Sequence, residues 1–136
     1  QIDPLMKAMN KIGIIEQMKN DYLGSFGDPA LRSIDSDIKS GQATILTVLA
    51  YQQGDDQAKS KLDKVVGNSD ATKEEIGEIR DVYKDTGAVD FTRMYSNSLK
   101  NDAYNLIHQV YPGLRKDAMI YYRNLLHNLT DFGDNH

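Results

Sequence analysis

The chain contains no cysteine in 136 residues, so disulfides and thiolate-held zinc are both excluded. Histidine is sparse. His108, His127 and His136 are too scattered to share a metal, and His108 is read as finishing a helix face. With no cysteine and no serine on a nucleophile-elbow pattern, a hydrolase triad has no basis. A phosphate loop and a dinucleotide fingerprint are also missing. Sixteen lysines and arginines face twenty aspartates and glutamates, for a net charge of −4 without a basic patch. That balance argues against a nucleic-acid partner. No apolar run approaches a membrane span and no signal-peptide pattern is visible, so the expected setting is the cytoplasm. Period-two alternation is absent, as is any internal repeat.

What remains is an ordinary globular composition, 40% hydrophobic and 26% charged. The length suits one domain with a core of its own. Apolar spacing of three and four recurs along the chain and predicts an all-α antiparallel helix bundle. A first helix is expected over Pro4 to Tyr22, capped by Asp3 and buried through Leu5, Met9, Ile12, Ile15, Met18 and Tyr22. Gly24, Gly27 and Pro29 are expected to end it. A polar connection from Ser25 to Gly41 follows, with Ser36-Asp37 able to cap a short turn. Gln42 to Tyr51 forms a helix buried almost all round, Val48 included, with Thr44 and Thr47 as its interior hydroxyls. Asp55 to Val66 is amphipathic. Thr72-Lys-Glu-Glu75 is a capping box for a helix whose Ile76, Ile79, Val82 and Tyr83 face inwards. Ala88 to Tyr111 carries Phe91, Tyr95, Leu99, Ala103, Leu106 and Val110, and Pro112-Gly113 breaks it. Leu114 to Phe132 uses Ala118, Tyr122, Leu125, Leu129 and Phe132, and the tail after it is expected to fray. Eight tyrosines against three phenylalanines suggest aromatics with one wet edge. Tyr104, Tyr111, Tyr121 and Tyr122 suit an interface as well as a pocket.

One stretch organises the rest: Gln17-Met-Lys-Asn20-Asp21-Tyr-Leu-Gly24-Ser-Phe-Gly27-Asp28-Pro29. Gln17, Asn20, Asp21 and Gly24 fall on one helical face, and the stripe continues back through Gly13 and Asn10. A polar line through an apolar helix is either a solvated face or a cavity wall. On the second reading, oxygen ligands at a helix C-terminus collect a hard cation such as Mg²⁺.

These residues resemble the second aspartate-rich region of the trans-prenyltransferases, the polyprenyl diphosphate synthases. The family pattern is close to F-Q-x-x-D-D-x-x-G/D-x-F-G-D, then G-K, then D-[IL]-x-x-G-K-x-T. Gln17, Asp21, Phe26, Gly27 and Asp28 match the first block, and Asp37-Ile38, Gly41 and Thr44 match the last. Asn20 stands where the pair has its first aspartate, and Glu16 replaces the aromatic before the glutamine. Arg32 stands for the G-K lysine, and Gln42 for the lysine after the second glycine. Asparagine keeps a carbonyl oxygen but gives up a charge that a divalent ion would feel.

The resemblance implies a part of the isoprenoid-synthase fold. It implies Mg²⁺ on Asp21, with Asn20 and Asp28 as lesser contacts, and diphosphate contacts from Gln17, Arg32, Asp37 and Lys39. The implied reaction condenses an allylic diphosphate with isopentenyl diphosphate. The first aspartate-rich motif is not in this sequence, and the opening on Gln1 is expected of a piece of a longer synthase. The expectation is therefore a C-terminal half, inactive alone and self-associating through uncovered apolar faces. The alternative is a non-catalytic helical partner or regulatory subunit derived from that fold.

Overall fold

The computed structural model describes residues 2–28, 30, 35–110 and 116–133. Among these there are seven α-helices and no strand: α1 (Ile2–Phe26), α2 (Ser36–Ser40), α3 (Ile45–Gln53), α4 (Asp56–Val65), α5 (Lys73–Asp85), α6 (Ala88–Val110) and α7 (Lys116–Thr130). The all-helical class is the one that the apolar spacing predicts. The chain divides into two compact units, one built from residues up to Lys19 and from Arg93 onward, the other from Asn20 to Thr92. Both divisions fall within helices, α1 and α6.

The first unit gathers Ala8, Ile15 and Met18 of α1, Leu99, Ala103 and Ile107 of α6, and Leu126 of α7, with Phe132 beyond it. Each of the larger side chains among them, once removed from water, contributes on the order of 1.5–3 kcal/mol, and the two alanines less. Lys19 Nζ donates to the Asn128 carbonyl at 2.6 Å, and an ion pair between half-buried Lys11 and exposed Asp102 spans 3.7 Å. The Arg123 guanidinium lies over the Tyr104 ring, 5.3 Å from its centroid, and donates to the phenol oxygen at 3.0 Å.

The second unit packs α3, α4 and α5 against one another. Leu46, Leu49, Ala50, Leu62, Val65, Ile76, Ile79, Val82 and Tyr83 form its centre, joined by Tyr22 and Phe26 from the end of α1. Those two rings stack at 5.0 Å. The starts of α3, α4 and α5 each have a local cause. Thr44 caps α3 by accepting from Thr47 N, and Asp55 caps α4 by accepting from Ala58 N. Thr72 and Glu75 form the reciprocal box expected at α5, with bonds of 3.2 and 3.0 Å. Gly41 ends α2 at φ 74°, and a Cβ there would stand 3.2 Å from the Gly67 Cα. Glycine at 41 therefore serves both the left-handed turn and a backbone-to-backbone approach, in which Gly67 N donates to Ile38 O at 2.8 Å.

Several expectations are corrected. Helix α1 begins at Ile2, which places Asp3 inside its first turn rather than at the cap, and it runs through Gly24 to Phe26. Helix α3 starts at Ile45, so Thr44 is its cap rather than an interior residue, and Val48 is exposed. Helix α2 is preceded by Asp35 in the left-handed conformation, with no side-chain cap. Met9, Phe91, Tyr95 and Leu125 are exposed. In α6 Leu99 and Ala103 are buried as expected, but in its first two turns the buried positions are Thr92 and Ser96, whose hydroxyls bond back to Ala88 O and Arg93 O. In α7 it is likewise Leu126 that is buried. Pro29, Arg32, Tyr111, the Pro112-Gly113 break, Leu114 and the tail from Asp134 lie outside the described residues.

Candidate functional site

The site is built in the second unit around the last two turns of α1. Asp21 is buried, and its Oδ2 accepts from Ile45 N at 3.1 Å. Ile45 is the first residue of α3, so the carboxylate sits at the positive end of that helix and takes up one of its unsatisfied amides. Asn20 beside it is exposed. Gln17, also exposed, stands one turn earlier on α1, in the portion assigned to the first unit.

Gly24 lies one turn beyond Asp21, and Asp37 occupies the space that a side chain there would need. A Cβ on Gly24 would stand 2.5 Å from Asp37 Oδ2. The chain returns here, where Asp35 N donates to Gly24 O at 2.8 Å, and α2 then brings Asp37 against Gly24. Lys39, on the same short helix, is exposed. Asp28 falls past the end of α1, exposed, and accepts from Ala30 N at 2.9 Å as a local turn. Asp21 and Asp37 are thus brought to one stretch of α1, whereas Asp28 is directed into its own loop. Arg32 lies outside the described residues.

Two features went unread in the sequence. The first is Arg80 of α5. Its Nε donates to Ser25 O at 2.6 Å and its Nη2 pairs with the Asp35 carboxylate. Helix α1 has no basic residue in its own last turn, and Arg80 supplies one from another helix. Lys84, one turn on, lies 5.5 Å above the Phe26 ring centroid. The available signal was a cation four residues after Ile76 and three before Tyr83, within an apolar stripe.

The second is a buried hydroxyl chain. Tyr83 OH and Thr47 Oγ1 are 2.7 Å apart, and Thr47 Oγ1 and Thr44 Oγ1 are 3.1 Å apart. Burial pushes the Tyr83 phenol up to about 12, with the Asp37 charge adding in the same direction. The phenol therefore stays protonated and keeps its hydrogen bond in the neutral range.

The polyprenyl synthetase family model matches residues 1–85, the part of the chain that holds this site. The chain belongs to the polyprenyl synthetase family. It is 30% identical over 84 residues to a short chain isoprenyl diphosphate synthase of Methanocaldococcus jannaschii, across 60% of this chain and 26% of that protein. It is 27% identical over 118 residues to a farnesyl pyrophosphate synthase of Nezara viridula, across 86% of this chain and 28% of that one. A geranylgeranyl pyrophosphate synthase of Corynebacterium glutamicum, solved with isoprenyl diphosphate and magnesium, superposes with a TM-score of 0.84 at 27% identity. The overlap covers 97% of this chain and 38% of that one. A putative geranylgeranyl pyrophosphate synthase from the same organism gives 0.83, over 96% and 40%. The fold is that of these synthases, and the chain spans well under half of their length.

Among the described residues of this polyprenyl synthetase chain, no three His, Asp or Glu side chains converge as a protein-built metal cage requires. The donors at the end of α1 are one buried carboxylate, with one oxygen already on an amide, and a neighbouring side-chain amide. That set fits a largely hydrated Mg²⁺, which commonly takes one or two carboxylates and completes its shell with water and phosphate oxygens. No helix among the described residues is long and apolar enough to cross a membrane.

Proposed function

We propose that this chain supplies one acidic half of the diphosphate site of a trans-prenyltransferase, the C-terminal half, and does not turn over alone. The observation that supports this most is the placing of Asp21 and Asp37 one turn apart along the end of α1, on the residues that match the family pattern. Asp21 is the principal ligand for Mg²⁺, with Asn20 and Asp28 as weaker oxygen donors. Gln17, Arg32, Asp37 and Lys39 serve the substrate side. Mg²⁺ bound there would supply positive charge to a leaving diphosphate. The chain's own residues fix where that charge can sit. Asp21 is held by the Ile45 amide, and Asp37 is held against Gly24. Lys39 extends from α2 into solvent, where it can meet an approaching phosphate. The substrates on this reading are an allylic diphosphate and isopentenyl diphosphate, and the setting is the cytoplasm.

Half of a two-motif clamp cannot grip a diphosphate from both sides, so the purified chain should show no condensation with Mg²⁺ and both substrates. It should still bind Mg²⁺ with inorganic pyrophosphate in calorimetry, and Asp21→Ala should remove that binding. Turnover by the chain alone, abolished in Asp21→Ala, would overturn the inactivity. Failure to bind Mg²⁺ and pyrophosphate would sink the site. In that case the second reading, a non-catalytic helical partner, would lead. It is favoured by Asn20 in place of an aspartate and by the structural bond that Asp21 already makes to Ile45 N.

A further inference from the structure

Arg80 stands on α5, far in sequence from Ser25 and Asp35, to which its guanidinium donates. Its two bonds go to consecutive parts of one feature. Nε reaches Ser25 O in the last turn of α1, and Nη2 reaches Asp35, the residue that leads into α2. Asp35 has a φ of 71°, the only positive φ at a non-glycine position among the described residues. An aspartate tolerates that conformation better than most side chains do, yet still at a cost that its surroundings must offset. Here the carboxylate ion-pairs with Arg80 while the Asp35 amide donates to Gly24 O. Two residues later Asp37 lies on Gly24.

We propose that Arg80 is the positioning residue for Asp37: by bridging Ser25 O and the Asp35 carboxylate, it holds the left-handed entry to α2 that seats the Asp37 carboxylate on Gly24. The consequence for ligand binding rests on the diphosphate-site reading given above. The bridge needs a fork. A guanidinium presents Nε and Nη2 in fixed geometry to two acceptors, whereas an ammonium is a compact point charge. Arg80→Lys should therefore keep the charge yet lose much of the effect.

The test is amide hydrogen exchange on the whole chain, read together with calorimetry using Mg²⁺ and inorganic pyrophosphate. Lys39 N and Gln42 N donate to Asp35 O and Asp37 O, so their exchange reports on α2 and its anchor. In Arg80→Met both should exchange about ten-fold faster relative to Ile76 N on α5, as expected for loss of a charged hydrogen bond. Arg80→Lys should lie between the two, and pyrophosphate affinity should fall in the same order. Asp35→Gly is the second variant, because glycine takes the positive φ without strain while deleting the ion pair. In that background Arg80→Met should add little further change. Unchanged exchange in Arg80→Met, or equal effects of Arg80→Met with and without Asp35, would overturn the proposal. Faster exchange with unaltered pyrophosphate affinity would overturn it as well. If the unmodified chain binds no pyrophosphate while exchange still accelerates, the positioning of Asp37 stands and the diphosphate-site reading falls.

Discussion

The carboxylate of Asp37 fills the place beside Gly24 where any other residue would put its Cβ, 2.5 Å from Asp37 Oδ2. The clash is with the end of a side chain, which can swing away. Gly24→Ala should therefore cost no stability, and it gains roughly 0.5–1 kcal/mol of helix preference in the last turn of α1. The same change must push the Asp37 carboxylate off α1. Urea unfolding should show a protein as stable as the original or more so, while calorimetry shows Mg²⁺–pyrophosphate affinity reduced about ten-fold, the size of a lost charged contact. Reduced stability with intact affinity would mean that Gly24 is there for packing.

Asp21 has a structural task whether or not it holds a metal. Its Oδ2 satisfies Ile45 N at the start of α3, where Thr44 already serves Thr47 N. Asp21→Ala should lower the unfolding free energy by about 1–2 kcal/mol, the usual range for removing a helix-start acceptor. Asp21→Asn keeps an acceptor and should lose less. An Asp21→Ala variant as stable as the parent in metal-free buffer would show that the carboxylate has no part in holding α3.

Tyr83 gives the protein a pH dependence on the alkaline side. Its phenol is raised from 10.0 to about 12, first by burial and then by the Asp37 charge, while the Thr47 hydrogen bond acts the other way. Above pH 10 the unfolded chain loses this proton and the folded chain keeps it, so the unfolded state binds fewer protons and stability falls as pH rises. The loss begins near pH 10, flattens above about 12, and totals on the order of 2–3 kcal/mol. Tyr83→Phe should remove that slope, at a cost of about 1 kcal/mol at neutral pH for the bond to Thr47. Equal alkaline slopes in parent and variant would contradict the assignment.

Local signals carried far in this chain. The Thr72–Glu75 box needs only residues three apart, and the run from Gln17 to Asp28 is contiguous, so both were legible from the sequence. Arg80 was not, because its partners Ser25 and Asp35 lie 55 and 45 residues away. Gly24 reads as a stop from propensity, yet α1 continues through it to Phe26, and the place of its missing side chain is taken by Asp37 from a later helix. The first two turns of α6 misled for another reason. Thr92 and Ser96 satisfy their hydroxyls on their own helix, which lets polar residues be buried where Phe91 and Tyr95 were expected. Periodicity registers polarity, and it is blind to a hydrogen bond made within the same turn.

The apolar surface of the first unit bears on association. Tyr121 is 64% exposed and Leu125, one turn further along α7, is 38% exposed. On α1, Met6 at 62% and Met9 at 48% are uncovered too. Scattered apolar side chains are ordinary on a surface, but two on one helical stripe can be covered together. Covering them in a self-associated form would gain on the order of 3 kcal/mol, about a hundred-fold in association. Static light scattering should show a mass that rises with concentration above 15.3 kDa. The Tyr121→Lys, Leu125→Lys double variant should need about a hundred-fold more protein to reach the same mass. A monomer at high concentration would end the self-association reading, and equal association by the double variant would move the contact off α7, with Met6 and Met9 the next pair to change.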